Sequence, residues 1–92
     1  MYAYLVEYVG TFFFLLVILY SGQALAIGAA LALAIMVGGS ISGGNFNPAV
    51  SIMMAMAGKL PMQSLIPYIL SQVAGGLSAL WVFNNILKTK KN

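Results

Sequence analysis

The sequence contains no cysteine, no histidine and no arginine, and Glu7 is its one acidic residue among 92. Without Cys or His, disulfide frameworks, thiol chemistry and the usual zinc sites are excluded, and no metal and no cofactor is expected. Charged residues make up 5% of the chain, against roughly 25% in an ordinary soluble domain. So few charges cannot coat a soluble particle, whose apolar surface would aggregate. A soluble enzyme, a disordered tail and a nucleic-acid binder are all ruled out. The sequence pI near 9.5 rests on Lys59, Lys88, Lys90 and Lys91 alone, which do not form a basic patch. Gly43-Gly44 lacks the lysine and the preceding strand of a phosphate-binding loop, and no nucleophile–base pair is present. The chain is not expected to be an enzyme.

What is there is apolar: 62% of the residues are hydrophobic and the mean hydropathy is +0.99. The expected fold class is an all-α integral membrane protein, with room for about three spans of ~20 residues. A multi-pass location in the plasma or inner membrane follows. The first apolar stretch covers residues 3–20, with Glu7 and Thr11 its strongly polar members, and ends at Ser21-Gly22-Gln23. A signal peptide would need a basic start and would not carry Glu7 in its apolar part, so this stretch is read as a span. Residues 24–41 form the second, rich in Ala, Leu, Ile and Gly. Ala24, Gly28 and Ala32 recur four apart, as do Ala26, Ala30 and Ala34. Small residues at that spacing let helix backbones approach closely in lipid.

Gly38-Gly39-Ser40-Ile41-Ser42-Gly43-Gly44-Asn45-Phe46-Asn47-Pro48 follows, and then an apolar segment again. Asn47 as N-cap and Pro48 at the first helical position open a helix of about ten residues. That is ~15 Å, half a bilayer. A short Pro-started helix behind glycine-rich backbone predicts a re-entrant segment over residues 42–58, tolerated at membrane depth only inside protein or along a water-filled cavity. A surface helix would show a charged face opposite Ile52, Met53 and Met56, and none exists. Gly58-Lys59-Leu60-Pro61 closes the excursion. Residues 62–87 form the third span. Pro67 marks a kink, and Ser71, Gly75, Gly76 and Ala79 again place small residues at helical spacing. Trp81 is an interface anchor and Lys88 to Asn92 a solvated stop.

Four segments together resemble the first repeat of the major intrinsic protein family, the aquaporins and aquaglyceroporins. They are Glu7-Tyr8-Val9-Gly10-Thr11-Phe12, the ungapped stretch 24–41, Ser42-Gly43-Gly44-Asn45-Phe46-Asn47-Pro48-Ala49-Val50-Ser51, and Tyr68-Ile69-Leu70-Ser71-Gln72-Val73-Ala74-Gly75-Gly76. The resemblance covers nearly the whole chain. It implies a channel for water and small neutral solutes such as glycerol, with Asn47, Pro48, Ala49, Gly43, Gly44, Asn45, Ile27 and Val50 lining the pore. Asn47 would cap the half-helix through its oxygen and keep its amide N–H groups for the lumen. The helix N-terminus disfavours cations there. Carbonyls of Gly43, Gly44 and Asn45 would accept from passing water. Glu7, an intramembrane acid and so a functional candidate by default, has two readings. It is a coupling carboxylate, as in the small multidrug resistance transporters, or, as the resemblance implies, a support for the loop's freed N–H groups. The second reading is carried forward, with Gln72 beside it.

The resemblance also implies what one such repeat lacks. Family members carry two inverted repeats whose half-helices meet at the midplane, so a pore here needs a second copy inserted upside down or a different half. An antiparallel homodimer, and four pores from eight chains by analogy with tetrameric relatives, are the expected assemblies within the lipid bilayer. The amino terminus and Lys59 fall on one face and Lys88, Lys90 and Lys91 on the other, a weak bias compatible with dual topology. Asn45 stands where many members have His, and Val50 where the second repeat places Arg. Ile27 stands at a position often Phe in water-selective members. Apolar, wider mouths are expected. The alternatives are a half-channel or truncation product whose partner half supplies the Arg, and a non-conducting membrane assembly subunit.

Overall fold

A computed structural model describes residues 2–88. Within them the regular structure is all helical: α1 (Tyr2–Ser21), α2 (Ala24–Ser42), a short α3 (Pro48–Met56) and α4 (Met62–Val82), which runs on into a π-helical turn, Phe83–Leu87. Tyr2–Ser21, Ala24–Ser42 and Met62–Leu87 are each long and apolar enough to cross a membrane. The protein is an integral, multi-pass membrane protein. Lys90 and Lys91, part of the expected solvated stop, lie outside the described residues.

Each boundary has a local cause. Gly22 adopts φ +68 and lets the chain turn from α1 into α2. Gly43, left-handed at φ 88, ends α2 by donating its N–H to the Gly39 carbonyl, as a glycine at that position commonly does. Asn47 in extended backbone starts α3, and Pro48 occupies its first turn. α4 passes through Pro67 without interruption, since a proline in the second turn forfeits only one helical donor.

α1 packs against both α2 and α4, and α3 lies against α4. On α2 the buried residues are Ala30, Ala34, Gly38 and Ser42, one stripe at four-residue steps. On α4 they are Tyr68, Gln72, Gly75 and Ala79. A Cβ on Gly75 would stand 2.6 Å from the Tyr8 carbonyl oxygen, so α1 and α4 touch backbone to backbone there. Tyr8 and Ser78 hydroxyls share a hydrogen bond of 2.6 Å across the same seam.

The interior combines small apolar residues with a cluster of polar ones, and the outside is apolar. Glu7, Thr11, Ser51 and Gln72 are among the largest fully buried side chains, whereas Leu25, Met36 and Val37 are exposed. Of the apolar window of α1 only 11% is buried within the chain. In lipid that arrangement is stable, because hydrocarbon solvates the outward faces while internal hydrogen bonds satisfy the polar groups.

Candidate functional site

The site is built where the loop of residues 43–47 dips between the helices. Glu7, in the second turn of α1, receives four donors. The Ser42 hydroxyl reaches Oε2 at 2.7 Å and the Asn45 N–H reaches the same oxygen at 3.0 Å. The Phe46 N–H and the Gln72 Nε2 each reach Oε1 at 2.8 Å. A carboxylate is an acceptor on both oxygens, so one side chain of α1 holds two loop amides, the end of α2 and the middle of α4. Charge-assisted bonds of this kind are about twice as strong as neutral ones.

A second node is Ser51, fully buried in α3. Its Oγ accepts from Gln72 Nε2 at 2.7 Å and from Asn45 Nδ2 at 2.9 Å. Tyr68 completes the bracket by donating to the Ser42 carbonyl at 2.7 Å, its ring held edge-on by Tyr4 at 5.8 Å. Gln72 thus uses its amide nitrogen to join the carboxylate to the half-helix. Its Oε1, like Thr11 Oγ1, is buried without a partner.

The backbone of the loop is bent sharply. Gly43, Gly44 and Phe46 all have positive φ, Phe46 at 55°. A bulky residue there is a backbone outlier held by its surroundings. Here the two loop N–H bonds to Glu7 hold it, and the Phe46 ring, 1% exposed, packs between α1 and α2.

The candidate pore residues divide. Asn47 is exposed, its Oδ1 accepting the Ala49 N–H at 2.8 Å. As the nitrogen of that amide is not engaged, it remains a donor at the tip of α3. Ala49 is exposed beside it, Pro48 and Val50 are half-buried, and Gly43 is exposed. Gly44 and Asn45 are buried, and the Asn45 side chain points into the Ser51 node, so only its backbone is left to a lumen. Ile27 stands apart: it lies eleven residues before Gly38, the α2 residue beside Phe46, about 16 Å along the helix. One chain therefore does not bring Ile27 and Val50 together.

Ser42, Ser51 and Tyr68 were absent from the residues singled out by sequence. Tyr68 was detectable, being one helical turn before Gln72 and on the face continued by Gly75 and Ala79. Ser51 follows Asn47 by four residues and so shares its face of α3, a weaker signal. Among the described residues no group of three or more metal-ligating side chains occurs.

The arrangement presents an apolar-sided half-helix with its capped N-terminus at the level of the middle of α1. The family model described as Major intrinsic protein matches residues 1–92. Aquaporin Z of Brucella melitensis biotype 1 is 54% identical over 59 residues, which are 63% of this chain and 25% of that protein. Aquaporin-8 of Mus musculus is 56% identical over 54 residues, 59% of this chain and 21% of its own. Glycerol uptake facilitator protein-like 6 of Lactiplantibacillus plantarum is 40% identical over 85 residues, 83% of this chain and 39% of that one. The chain thus spans less than half the length of these relatives. No solved structure matches it significantly. The chain belongs to the major intrinsic protein family, a family of membrane channels.

Proposed function

We propose that the chain supplies one half of a transmembrane pore for water and small neutral solutes such as glycerol, completed by a second copy in the opposite orientation. Residues 1–92 act as a single repeat, with spans at 3–20, 24–41 and 62–87 and a re-entrant segment at 42–58. The observation that carries this reading is the half-helix. α3 has nine residues, about 13.5 Å, against a hydrocarbon core of ~30 Å. Its capped tip, at Asn47, sits level with the middle of α1. Asn47 offers N–H groups there, the helix N-terminus adds positive potential that repels cations, and the loop backbone at Gly43 to Asn45 supplies acceptors. Acceptors followed by a donor replace the hydrogen bonds of a passing water without trapping it.

Relatives named for water and for glycerol both match, and their names support either solute. Ile27 and Val50, meeting across two chains, give apolar mouths without an arginine, which favours the passage of neutral solutes wider than water. Glu7 and Gln72 support the loop in this scheme. Four such pores from eight chains are the corresponding assembly. Stopped-flow light scattering on liposomes holding the purified chain tests the reading: permeability to water above that of empty vesicles is expected, and none overturns it.

A second reading, a half-channel completed by a different half, rests on the matched relatives being more than twice as long as their aligned stretches. Cysteine labelling at both ends separates the two. One orientation for every molecule removes the homodimeric pore and leaves the mixed one.

A further inference from the structure

At the end of the molecule where α1 turns into α2, an open groove of about 230 Å³ runs along α1. Phe13, Leu16, Val17 and Tyr20 form one wall, a single helical face, and Leu87 closes it from the π-helical turn after α4. Ser21 stands at its mouth. The π-helical turn is what brings Leu87 there. In an α-helix Leu87, eight residues after the buried Ala79, would point about 80° away from it. The wide turn, with the Lys88 N–H bonded to the Phe83 carbonyl, takes up the extra residue. Leu87 thereby returns to the face on which Gly75 and Ala79 lie, the face that meets α1 at Gly75.

The groove has the length of one leaflet. From Phe13 to Ser21 it covers about 12 Å, against ~15 Å for half of a ~30 Å hydrocarbon core. Tyr20, exposed beside Ser21, is a residue of the membrane–water interface and sets the mouth at that level. The mouth is polar and positive. Ser21 Oγ accepts the Gln23 N–H at 3.3 Å and keeps its own proton to donate. Lys88, next after Leu87, is exposed, and Lys90 and Lys91 follow in the sequence. Gln23 gives α2 no side-chain cap, so first-turn N–H groups beside Ser21 add to the donors. The chain's one acidic side chain, Glu7, is fully buried, which leaves no carboxylate side chain to compete for Lys88.

We infer that this groove binds an anionic phospholipid, with one acyl chain along Phe13, Leu16, Val17 and Leu87 and the phosphate between Ser21 and Lys88. A zwitterionic lipid fills the apolar part equally well but brings its own cation to Lys88, so the charge at the mouth sets the preference. The wall lies on the side of α1 opposite Glu7 and Thr11, and the site therefore stands whether or not two chains complete a pore.

Trp81 is the chain's one tryptophan, so Trp81→Phe clears the background for single reporters. Leu16→Trp and Leu87→Trp read the groove from its two walls. Ala29→Trp is the control at similar depth, on the face of α2 that carries Leu25, 86% exposed. Each chain is placed in phosphatidylcholine vesicles holding a minor fraction of phosphatidylglycerol. Bromines, which quench tryptophan, are carried on the acyl chains of either the phosphatidylglycerol or an equal amount of the phosphatidylcholine. The groove reporters are expected to show about a fivefold preference for the phosphatidylglycerol, the size one lysine gives at an anionic surface. Ala29→Trp should show near parity, and Lys88→Gln should bring the groove reporters toward it with the helical circular dichroism unchanged. A preference at either wall that exceeds the control and falls with Lys88→Gln supports the site. Parity at both walls overturns it. An equal preference at all three reporters overturns it too, being a diffuse layer of anionic lipid, as does a preference that Lys88→Gln leaves intact.

Discussion

The ring of Phe46 fills the notch that Gly10 leaves in α1, so close that any side chain at position 10 would overlap Phe46 Cε1. Gly38 on α2 widens the same notch from the other side, its missing Cβ lying 3.5 Å from Phe46 Cζ. The loop is thereby keyed to two helices by one residue in a strained conformation. Gly10→Ala is expected to destabilise the fold by ~1–3 kcal/mol, the usual range for overpacking. Gly28→Ala, with no atom within 4 Å of the new methyl, is expected to leave it unchanged. Unfolding in detergent, followed by circular dichroism for both variants, checks the contrast.

Replacing Glu7 with Gln keeps the size of the side chain and removes an acceptor. The new amide turns N–H groups toward one pair of the donors that now converge on the carboxylate, either Phe46 and Gln72 or Ser42 and Asn45. Leaving buried donors unpaired costs on the order of 3 kcal/mol in total, and the loop should release. The expected outcome is a lower unfolding temperature together with loss of permeability. An exporter using Glu7 as its coupling acid would instead keep its fold and lose proton-dependent transport, so thermal unfolding in detergent decides between the roles.

Local rules carried much of the fold. The apolar stretches, the Asn47 cap and the Pro48 start are written in consecutive residues, and each acts within one or two turns. The choice between two alanine stripes on α2 was not written there. Ala24, Gly28 and Ala32 read as well as Ala26, Ala30 and Ala34, yet Ala30 and Ala34 are buried while the first stripe is exposed. The deciding fact lies at the end of the second stripe, where Ser42 must face Glu7. That contact spans 35 residues and leaves no periodic trace. The partners of Ser51 and Tyr68 are hidden for the same reason: the helical face of Tyr68 can be read from its spacing to Gln72, but the bracket it joins appears only once α1, α3 and α4 are side by side.

The stripes make a paired test. Ala34→Leu forces a bulky side chain between α1 and α2, where small residues set the distance, and is expected to destabilise by ~1–3 kcal/mol. Ala32→Leu points away from α1 and is expected to cost less than about 0.5 kcal/mol. Equal losses for the two, measured by unfolding in detergent, would show that α2 packs through a different face.

Asn47 separates a pore from a passive assembly. Asp caps a helix as well as Asn does, and its oxygen can still accept the Ala49 N–H, so Asn47→Asp should leave α3 and the bracket around Ser51 intact. What changes is the exposed end of the side chain. Two N–H donors become an acceptor with a negative charge, at the point where the half-helix otherwise presents positive potential. In a pore built as proposed, the chain of acceptors then meets another acceptor and water loses its donor partner at the narrowest level. The barrier to cations falls at the same time, because the repelling potential is offset. The expected result is reduced water permeability with raised sodium or proton leak, read by light scattering and by a pH-sensitive dye in the same liposomes. A subunit that does not conduct would show neither change. The unfolding temperature, which should match that of the unaltered chain, excludes collapse of the loop as the cause.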